Sequence, residues 1–318
     1  MSLPIKPKRL QLGSRIGIVN PAYWLETEKL QYAVKVFENM GYELVLGKLT
    51  QYREHRFAGT PQQRADDIMA MFIDDSIDAI ICCRGGYGGN RVLPLLDYDV
   101  IQSNPKIFIG YSDITGFLCS ISQQSNLITF HGPMLTTFGD AKTAPKKNEY
   151  NLKNLIQVLS GETNIKLSSP QECPARTLNT GTVSAPLWGG NLCLIIERLA
   201  TQGQLDTNGC ILFLEDIGEE IYAFERMMLH LKNSGSLDSI KGLIIGEMVD
   251  ITDNHDVSFG KTVDEIVLSV CEGLDIPIIS NFPCGHGDYQ TTLPVSHLVE
   301  LNANEEKPYL LIPESPVD

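Results

Sequence analysis

Residues 60–83 read TPQQRADDIMAMFIDDSIDAIICC, and a helix start, an amphipathic helix and an apolar strand follow one another within them. Thr60 is an N-cap residue. Pro61 takes the first helical position, where its missing N–H costs nothing, and Gln63 can reach back to the Thr60 amide. Ile68 and Phe72, four residues apart, point one face of this helix inward. The run Ala79-Ile80-Ile81-Cys82-Cys83 has no polar alternation, which is the pattern of a strand buried on both faces.

The same order repeats on either side. Upstream, Ile16–Val19 is a short apolar run, followed by a helical stripe of Leu30, Val34, Phe37 and Met40 that Gly41 stops, and by a strand at Glu43–Leu46. Downstream, Ile107–Ile109 precedes a helical stretch from Ile114 to Gln124. Alternating β and α with continuous apolar strands predicts an α/β fold built on a parallel sheet covered on both faces.

The texture changes at SGETNIKLSSPQECPARTLNTGT, residues 160–182, which is polar and only weakly periodic. It reads as a connection, giving an N-terminal domain at 1–159, a linker at 160–182 and a C-terminal domain at 183–318. The C-terminal part carries shorter strand patterns at Ile211–Leu214, Leu243–Ile245, Ile276–Ser280, Leu298–Leu301 and Tyr309–Ile312. Two helical patterns interrupt them, one with Phe224, Met228 and Leu231, the other with Val263, Ile266, Val267 and Val270. This half reads as mixed α/β.

Bulk properties narrow the function. At 318 residues, 43% hydrophobic and 20% charged, the chain can bury two cores of ordinary size. Its net charge of −14 argues against a nucleic-acid partner, which Lys and Arg must neutralise. Residues 1–12, MSLPIKPKRLQL, have basic residues but no apolar segment of a secretion signal. No apolar run approaches the roughly 18 residues that span a bilayer. The eight cysteines (82, 83, 119, 173, 193, 210, 271 and 284) form no CxxC pair and several lie in apolar runs, so they read as buried thiols. A cytoplasmic protein without membrane contact is the expectation.

The sharpest chemical feature is Lys106-Ile107-Phe108-Ile109-Gly110-Tyr111-Ser112-Asp113-Ile114-Thr115. An apolar strand runs into Gly-x-Ser and at once into a helix, so the serine stands clear of the sheet and the amides behind it face an oxyanion. Ile114 stands where the GxSxG pattern has its last glycine. A serine here also serves as an ordinary helix cap. The second feature, Arg84-Gly85-Gly86-Tyr87-Gly88-Gly89-Asn90, puts four glycines into five positions directly after a strand. Such a loop can bring backbone N–H groups close to a negative ligand, or it is a plain glycine-rich turn. Loops at the carboxyl ends of parallel strands form the ligand crevice, so both features can share one.

A nucleophilic serine needs a base and the base an orienting acid. Of six histidines, His230 and His255 read as solvated, His55 lies in a charged run and His297 opens a strand. His131 in FHGPM and His286 in FPCGHGDYQTTLP both follow apolar segments beside glycine, and His286 has the more flexible frame. Glu215 ends the apolar strand Ile211–Leu214, although Asp216, Glu219 and Glu220 follow it and the four also fit a solvated acidic cluster. No HExxH or Cys/His ligand spacing appears, so neither metal nor cofactor is expected.

Seven segments in order, GSRIGIVNPA, CRGGYGGNR, GYSDIT, TFHGPM, WGGNLCLI, LEDIGEEIYAFERMMLHLKNSG and GHGDYQTTLP, resemble the LD-carboxypeptidase family, which includes the microcin C immunity peptidases. The resemblance implies Ser112 as nucleophile, Glu215 as acid and His286 as base. It also implies oxyanion donors at the amides of Gly86 and Asp113. A carboxypeptidase must hold a free terminal carboxylate, for which Arg84 beside the loop is the candidate, with a structural arginine paired to an internal acid as the alternative. Tyr87 is a second candidate contact, and Trp188 either stacks on a nucleotide base or packs at the domain junction. The fold it implies is a class I glutamine amidotransferase-like parallel α/β sandwich followed by a smaller mixed α/β domain with a barrel-like sheet. The implied substrate is a small peptide, a cytoplasmic murein tetrapeptide losing its terminal D-alanine, and the implied assembly is a homodimer. A peptidyl or aminoacyl nucleotide is the alternative substrate, and a non-catalytic peptide-binding module the alternative class. One departure is visible: after its proline the N-terminal motif often has a small hydroxylated residue, where this chain has Ala22-Tyr23.

Overall fold

The computed structural model describes residues 3–139, 145–304 and 306–318, so Met1 and Ser2 of the N-terminal segment lie outside the described residues. Two compact units form. One comprises Met1–Thr163, Thr291–His297 and Glu314–Asp318, the other Asn164–Gln290 and Leu298–Pro313.

In chain order the first unit holds β1 (Arg15–Val19), α1 (Thr27–Asn39), β2 (Glu43–Leu46), α2 (Pro61–Ile73), β3 (Ala79–Cys82), α3 (Tyr98–Ser103), β4 (Ile107–Gly110), α4 (Thr115–Ser125), β5 (Thr129–His131) and α5 (Pro145–Leu159). The second holds β6 (Ile165–Ser168), β7 (Arg176–Asn179), β8 (Thr182–Asn191), α6 (Leu192–Ile196), β9 (Ile211–Ile217), α7 (Ile221–Asn233), β10 (Gly242–Val249), α8 (Val263–Val270) and β11 (Ile278–Phe282). The chain then gives β12 (Leu293–Val295) to the first unit and β13 (Leu298–Asn302) and β14 (Tyr309–Ile312) to the second.

The first sheet has the order β12-β5-β4-β3-β1-β2. Five strands run parallel, and β12 closes the β5 edge antiparallel, with Leu293 opposite His131. Every position of β3 and β4 is buried, as their unbroken apolar runs require. Around them Phe72 stacks on Phe108 at 5.9 Å, and Phe117 lies 6.3 Å from Phe108.

Helix α2 begins with the expected capping box, Thr60 accepting from the Gln63 amide at 3.3 Å and Gln63 accepting from the Thr60 amide at 2.9 Å. Its inner face carries Ile68 and Phe72, and with them two charged residues, Arg64 and Asp67. Asp67 accepts from the amides of Lys48 at 2.8 Å and Leu49 at 3.4 Å, so α2 fixes the loop after β2. Burial raises the Asp67 carboxyl above its usual range, and those amides work against the rise.

The second sheet has eight strands in the order β6-β14-β13-β8-β9-β10-β11-β7. Its centre, β8-β9-β10-β11, is parallel, and its flanks are antiparallel. Residues 160–182, polar enough to read as a connection, hold β6 and β7. In β6 burial alternates, Ile165 and Leu167 inside and Lys166 and Ser168 outside, which is how an edge strand of mixed composition pairs on one face. All eight cysteines are free thiols. Six are buried, Cys173 is half-buried, and Cys193, set in an apolar run, is exposed.

Candidate active site

In the first unit β4 ends at Gly110, and the chain turns sharply. Ser112 has a left-handed backbone, φ +63°, which opens a 3-10 turn over Ser112–Ile114 and leads into α4. A non-glycine residue in that region pays a steric cost and marks a turn held by its surroundings. A side chain on Gly110 would meet Ile114 at 2.8 Å, so glycine there is what allows the turn.

The glycine-rich loop after β3 lies against this serine. A Cβ on Gly85 would come within 3.0 Å of Ser112 Cβ and 3.3 Å of its Oγ. Gly86 (φ +127°) and Gly88 (φ +105°) take left-handed backbones. A Cβ on Gly86 would collide with the Tyr23 ring. The Ala22-Tyr23 departure therefore has a physical role: the ring fills the space beside Gly86. Arg84 stands 5.8 Å over the same ring, and Tyr87 is 59% exposed. A backbone hydrogen bond holds Glu26 below the usual carboxylate range, with Lys29 and Arg84 adding to it. Asp113 is buried, and its side chain accepts from the Gly89 amide at 2.9 Å.

In the second unit Glu215 sits in β9 with no exposure, and its Oε2 lies 2.7 Å from His286 Nδ1. A carboxylate only accepts, so Nδ1–H donates and Nε2 is the ring nitrogen that can take a proton. Two glycines make room for the carboxylate. A Cβ on Gly246 would approach Glu215 Cβ at 2.9 Å, and one on Gly285 (φ +101°) would collide with the carboxylate itself. Gln290 donates to the Gly285 carbonyl at 2.7 Å and pins the His286 loop. Burial pushes the Glu215 carboxyl up, and its bond to His286 opposes the rise. For His286 burial acts against the charged ring, and Glu215 more than offsets it, raising the imidazole above its usual value.

The acids after Glu215 do not form a solvated cluster. Asp216 is buried and accepts from Asn191 Nδ2, the Cys193 amide and the Ile217 amide, each at 2.9 Å. Glu220 accepts from Asn254 at 2.7 Å. Trp188 is half-buried in β8, paired with Leu212. His131 is wholly buried in β5, its ring 6.2 Å from Tyr111, and His297 Nε2 donates to the Glu314 carbonyl at 2.8 Å.

Sequence reasoning passed over Glu247. Its carboxylate packs against Gly287, next to His286, and accepts from Cys173 Sγ at 3.3 Å. Burial and this acid push the Cys173 thiol up to about 12. The signal was present: Glu247 follows the apolar run Leu243–Ile245 much as Glu215 follows its own. Among the described residues no group of three or more His, Cys, Asp or Glu side chains could hold a metal ion.

Residues 16–132 match the LD-carboxypeptidase N-terminal domain and residues 184–301 match the LD-carboxypeptidase C-terminal domain. A probable murein peptide carboxypeptidase of Bacillus subtilis is 32% identical over 308 residues, covering 96% of this chain and 94% of that protein. The solved muramoyltetrapeptide carboxypeptidase of Oxalobacter formigenes aligns with a TM-score of 0.84 at 29% identity, over 96% of this chain and 100% of that one. The microcin C7 self immunity protein MccF, solved with aspartyl sulfamoyl adenosine, aligns with a TM-score of 0.90 at 25% identity, over 99% of this chain and 100% of that one. The segment with the strained serine lies in the first matched domain, the Glu215–His286 pair in the second, and the chain belongs to the LD-carboxypeptidase family.

Proposed function

We propose that this chain is a serine carboxypeptidase that hydrolyses the L,D-peptide bond releasing the terminal D-alanine of murein tetrapeptides in cell-wall recycling. The observation that carries the reading is the Glu215–His286 hydrogen bond of 2.7 Å, an imidazole oriented by a fully buried carboxylate that favours its protonation. In this reading His286 Nε2 takes the proton of Ser112, whose oxygen attacks the scissile carbonyl. The amides of Gly86 and Asp113 hold the oxyanion, a term worth about 3–4 kcal/mol per donor removed. Glu215 stabilises the imidazolium without taking its proton. The protonated ring then gives that proton to the leaving amine, and water resolves the acyl-enzyme by the same path in reverse. Arg84 is our candidate for the terminal carboxylate of the substrate, with Tyr87 beside it.

The names and coverage of the relatives support the substrate class. Cytoplasmic residence and a homodimer belong to the same reading, as does the finer fold description, an amidotransferase-like first domain and a barrel-like second sheet. The parallel order of the first sheet supports the former.

Mass spectrometry of a murein tetrapeptide incubated with the wild-type chain and with Ser112→Ala tests the function. Loss of one D-alanine with the wild type alone is expected. An intact tetrapeptide with both overturns it.

The higher TM-score with MccF favours one alternative, cleavage of an aminoacyl or peptidyl nucleotide, with Trp188 stacking on the base. Hydrolysis of such a conjugate that slows in Trp188→Ala supports it, and an unchanged rate counts against the stacking.

A further inference from the structure

The loop proposed to hold the oxyanion has four glycines in residues 85–89. Glycine accepts both signs of φ at little cost, so the chain's own preferences do not decide which way its peptide planes face. A donor that must point at one spot needs an outside constraint, and two buried charges supply it.

Arg64, on the inner face of α2, is 2% exposed. Its Nη1 donates to the carbonyls of Pro21 at 2.6 Å and Gly88 at 3.2 Å. Asp113, 4% exposed, accepts from the Gly89 amide at 2.9 Å. The Gly88 carbonyl and the Gly89 N–H belong to one peptide unit. That unit therefore has a cation at its negative end and an anion at its positive end, both hydrogen-bonded and both removed from water. Turned over, it would set carbonyl against carboxylate and N–H against guanidinium in a buried place, where unpaired polar groups are most costly. Phe57 completes the holder: its ring lies 5.3 Å from the Arg64 guanidinium, and a Cβ on Gly88 would meet it at 2.8 Å.

Stability alone does not account for Arg64. A buried charge is often replaced by apolar side chains with no loss, and Arg64 keeps a buried Nε without a partner among the described residues. What the guanidinium does that an apolar side chain could not is bind the Gly88 carbonyl while joining the Pro21 loop to the glycine-rich loop.

We infer that Arg64 and Asp113 are positioning residues, a charged clamp on the Gly88–Gly89 peptide that fixes the glycine-rich loop against the Ser112 turn. This rests on the proposed function for its effect on rate. Its structural content, one locked peptide plane, does not.

The test uses the full chain with Arg64→Met, which removes the donor, Asp113→Ala, which removes the acceptor, and the double variant. Amide hydrogen exchange is followed at Gly89, and hydrolysis of whichever substrate the wild type turns over. In the wild type the Gly89 amide is protected. In each single variant it exchanges at least about tenfold faster, and kcat falls about 10²-fold with KM within about threefold, the scale of a lost oxyanion donor. The double variant is no slower than the slower single, since both act through one peptide. A purely structural role would lower the folded fraction and leave the kcat of the folded protein unchanged. An unprotected wild-type Gly89 amide, a kcat within twofold of wild type in a folded single variant, or multiplying losses in the double would overturn the clamp. If Arg64→Met does not fold, Asp113→Ala carries the kinetic arm, and the wild-type exchange result stands without either. A wild-type chain inert toward both substrate classes sinks the proposed function, while Gly89 exchange still decides the clamp.

Discussion

Glu215 Oε2 and His286 Nδ1 lie 2.7 Å apart, with the carboxylate wholly buried and the ring only partly so. A carboxylate without water is costly unless it is paired, and an imidazole is a useful base only if its orientation and charge are set. The pair meets both needs. Its geometry also depends on neighbours with no side chain, Gly246 and Gly285, which leave the carboxylate its space.

The pH dependence follows from the direction of the His286 shift. Burial opposes the imidazolium, Glu215 more than offsets it, and the ring titrates above its ordinary 6.5. A general base must be neutral, so kcat/KM should be low below that raised pKa and climb as pH rises through it. The acid limb is expected to have its midpoint above 6.5. Glu215→Gln removes the charge that raises it, so the midpoint should move down while kcat falls by about 10⁴-fold. A wild-type limb below 6.5, or one that Glu215→Gln leaves in place, would contradict the assignment.

Gly285→Ala should damage both the fold and the pair. The new methyl would collide with the Glu215 carboxylate, and alanine would be forced into φ +101°. Overpacking costs about 1–3 kcal/mol and the backbone about 1–2 more. Urea unfolding is expected to show a loss of about 2–5 kcal/mol. The surviving enzyme should have a lower kcat. Wild-type stability and rate together would mean that the Gly285 loop is free to move away.

Much of this was legible because it rests on local rules. The capping box at Thr60–Gln63, the buried runs of β3 and β4 and the strand-to-helix turn at Ser112 all declare themselves within a few residues. Glu215 was legible as an acid ending an apolar strand. What was not legible depends on partners far along the chain. β12 is three residues long and contains Pro294, so no periodicity marks it, yet it edges the first sheet through β5. β6 and β7 are short and half-polar, and only pairing with β14 and β11 makes them strands. Arg64 has no local pattern to mark it, because its partners, the carbonyls of Pro21 and Gly88, lie far along the chain.

The thiols give a test of burial independent of catalysis. Of the eight cysteines only Cys193 is exposed, and six are buried. Titration of the native chain with a disulfide reagent should show one thiol reacting ahead of the rest, and all eight should react once the chain is unfolded. Cys193→Ser should remove that first reaction. Several thiols reacting together in the native state would mean that the core around Cys82, Cys83 and Cys119 opens readily.

Ser112 should weaken the fold it serves. Its φ of +63° puts Cβ against the backbone, a cost of about 1–2 kcal/mol for a residue with a side chain. Ser112→Ala removes the hydroxyl but keeps the Cβ, so the strain remains. Ser112→Gly removes both, at the cost of a more flexible unfolded chain, roughly 0.5–1 kcal/mol. The glycine variant is therefore expected to be as stable as the alanine variant or more so, by up to about 1.5 kcal/mol, a reversal of the usual order in regular structure. Neither should turn over substrate. Denaturant midpoints of the two variants, read at equal slope, decide it. An alanine variant more stable by 1 kcal/mol or more would mean that the turn relaxes to negative φ once the hydroxyl is gone, and that the hydroxyl, not the loop around it, holds Ser112 in place.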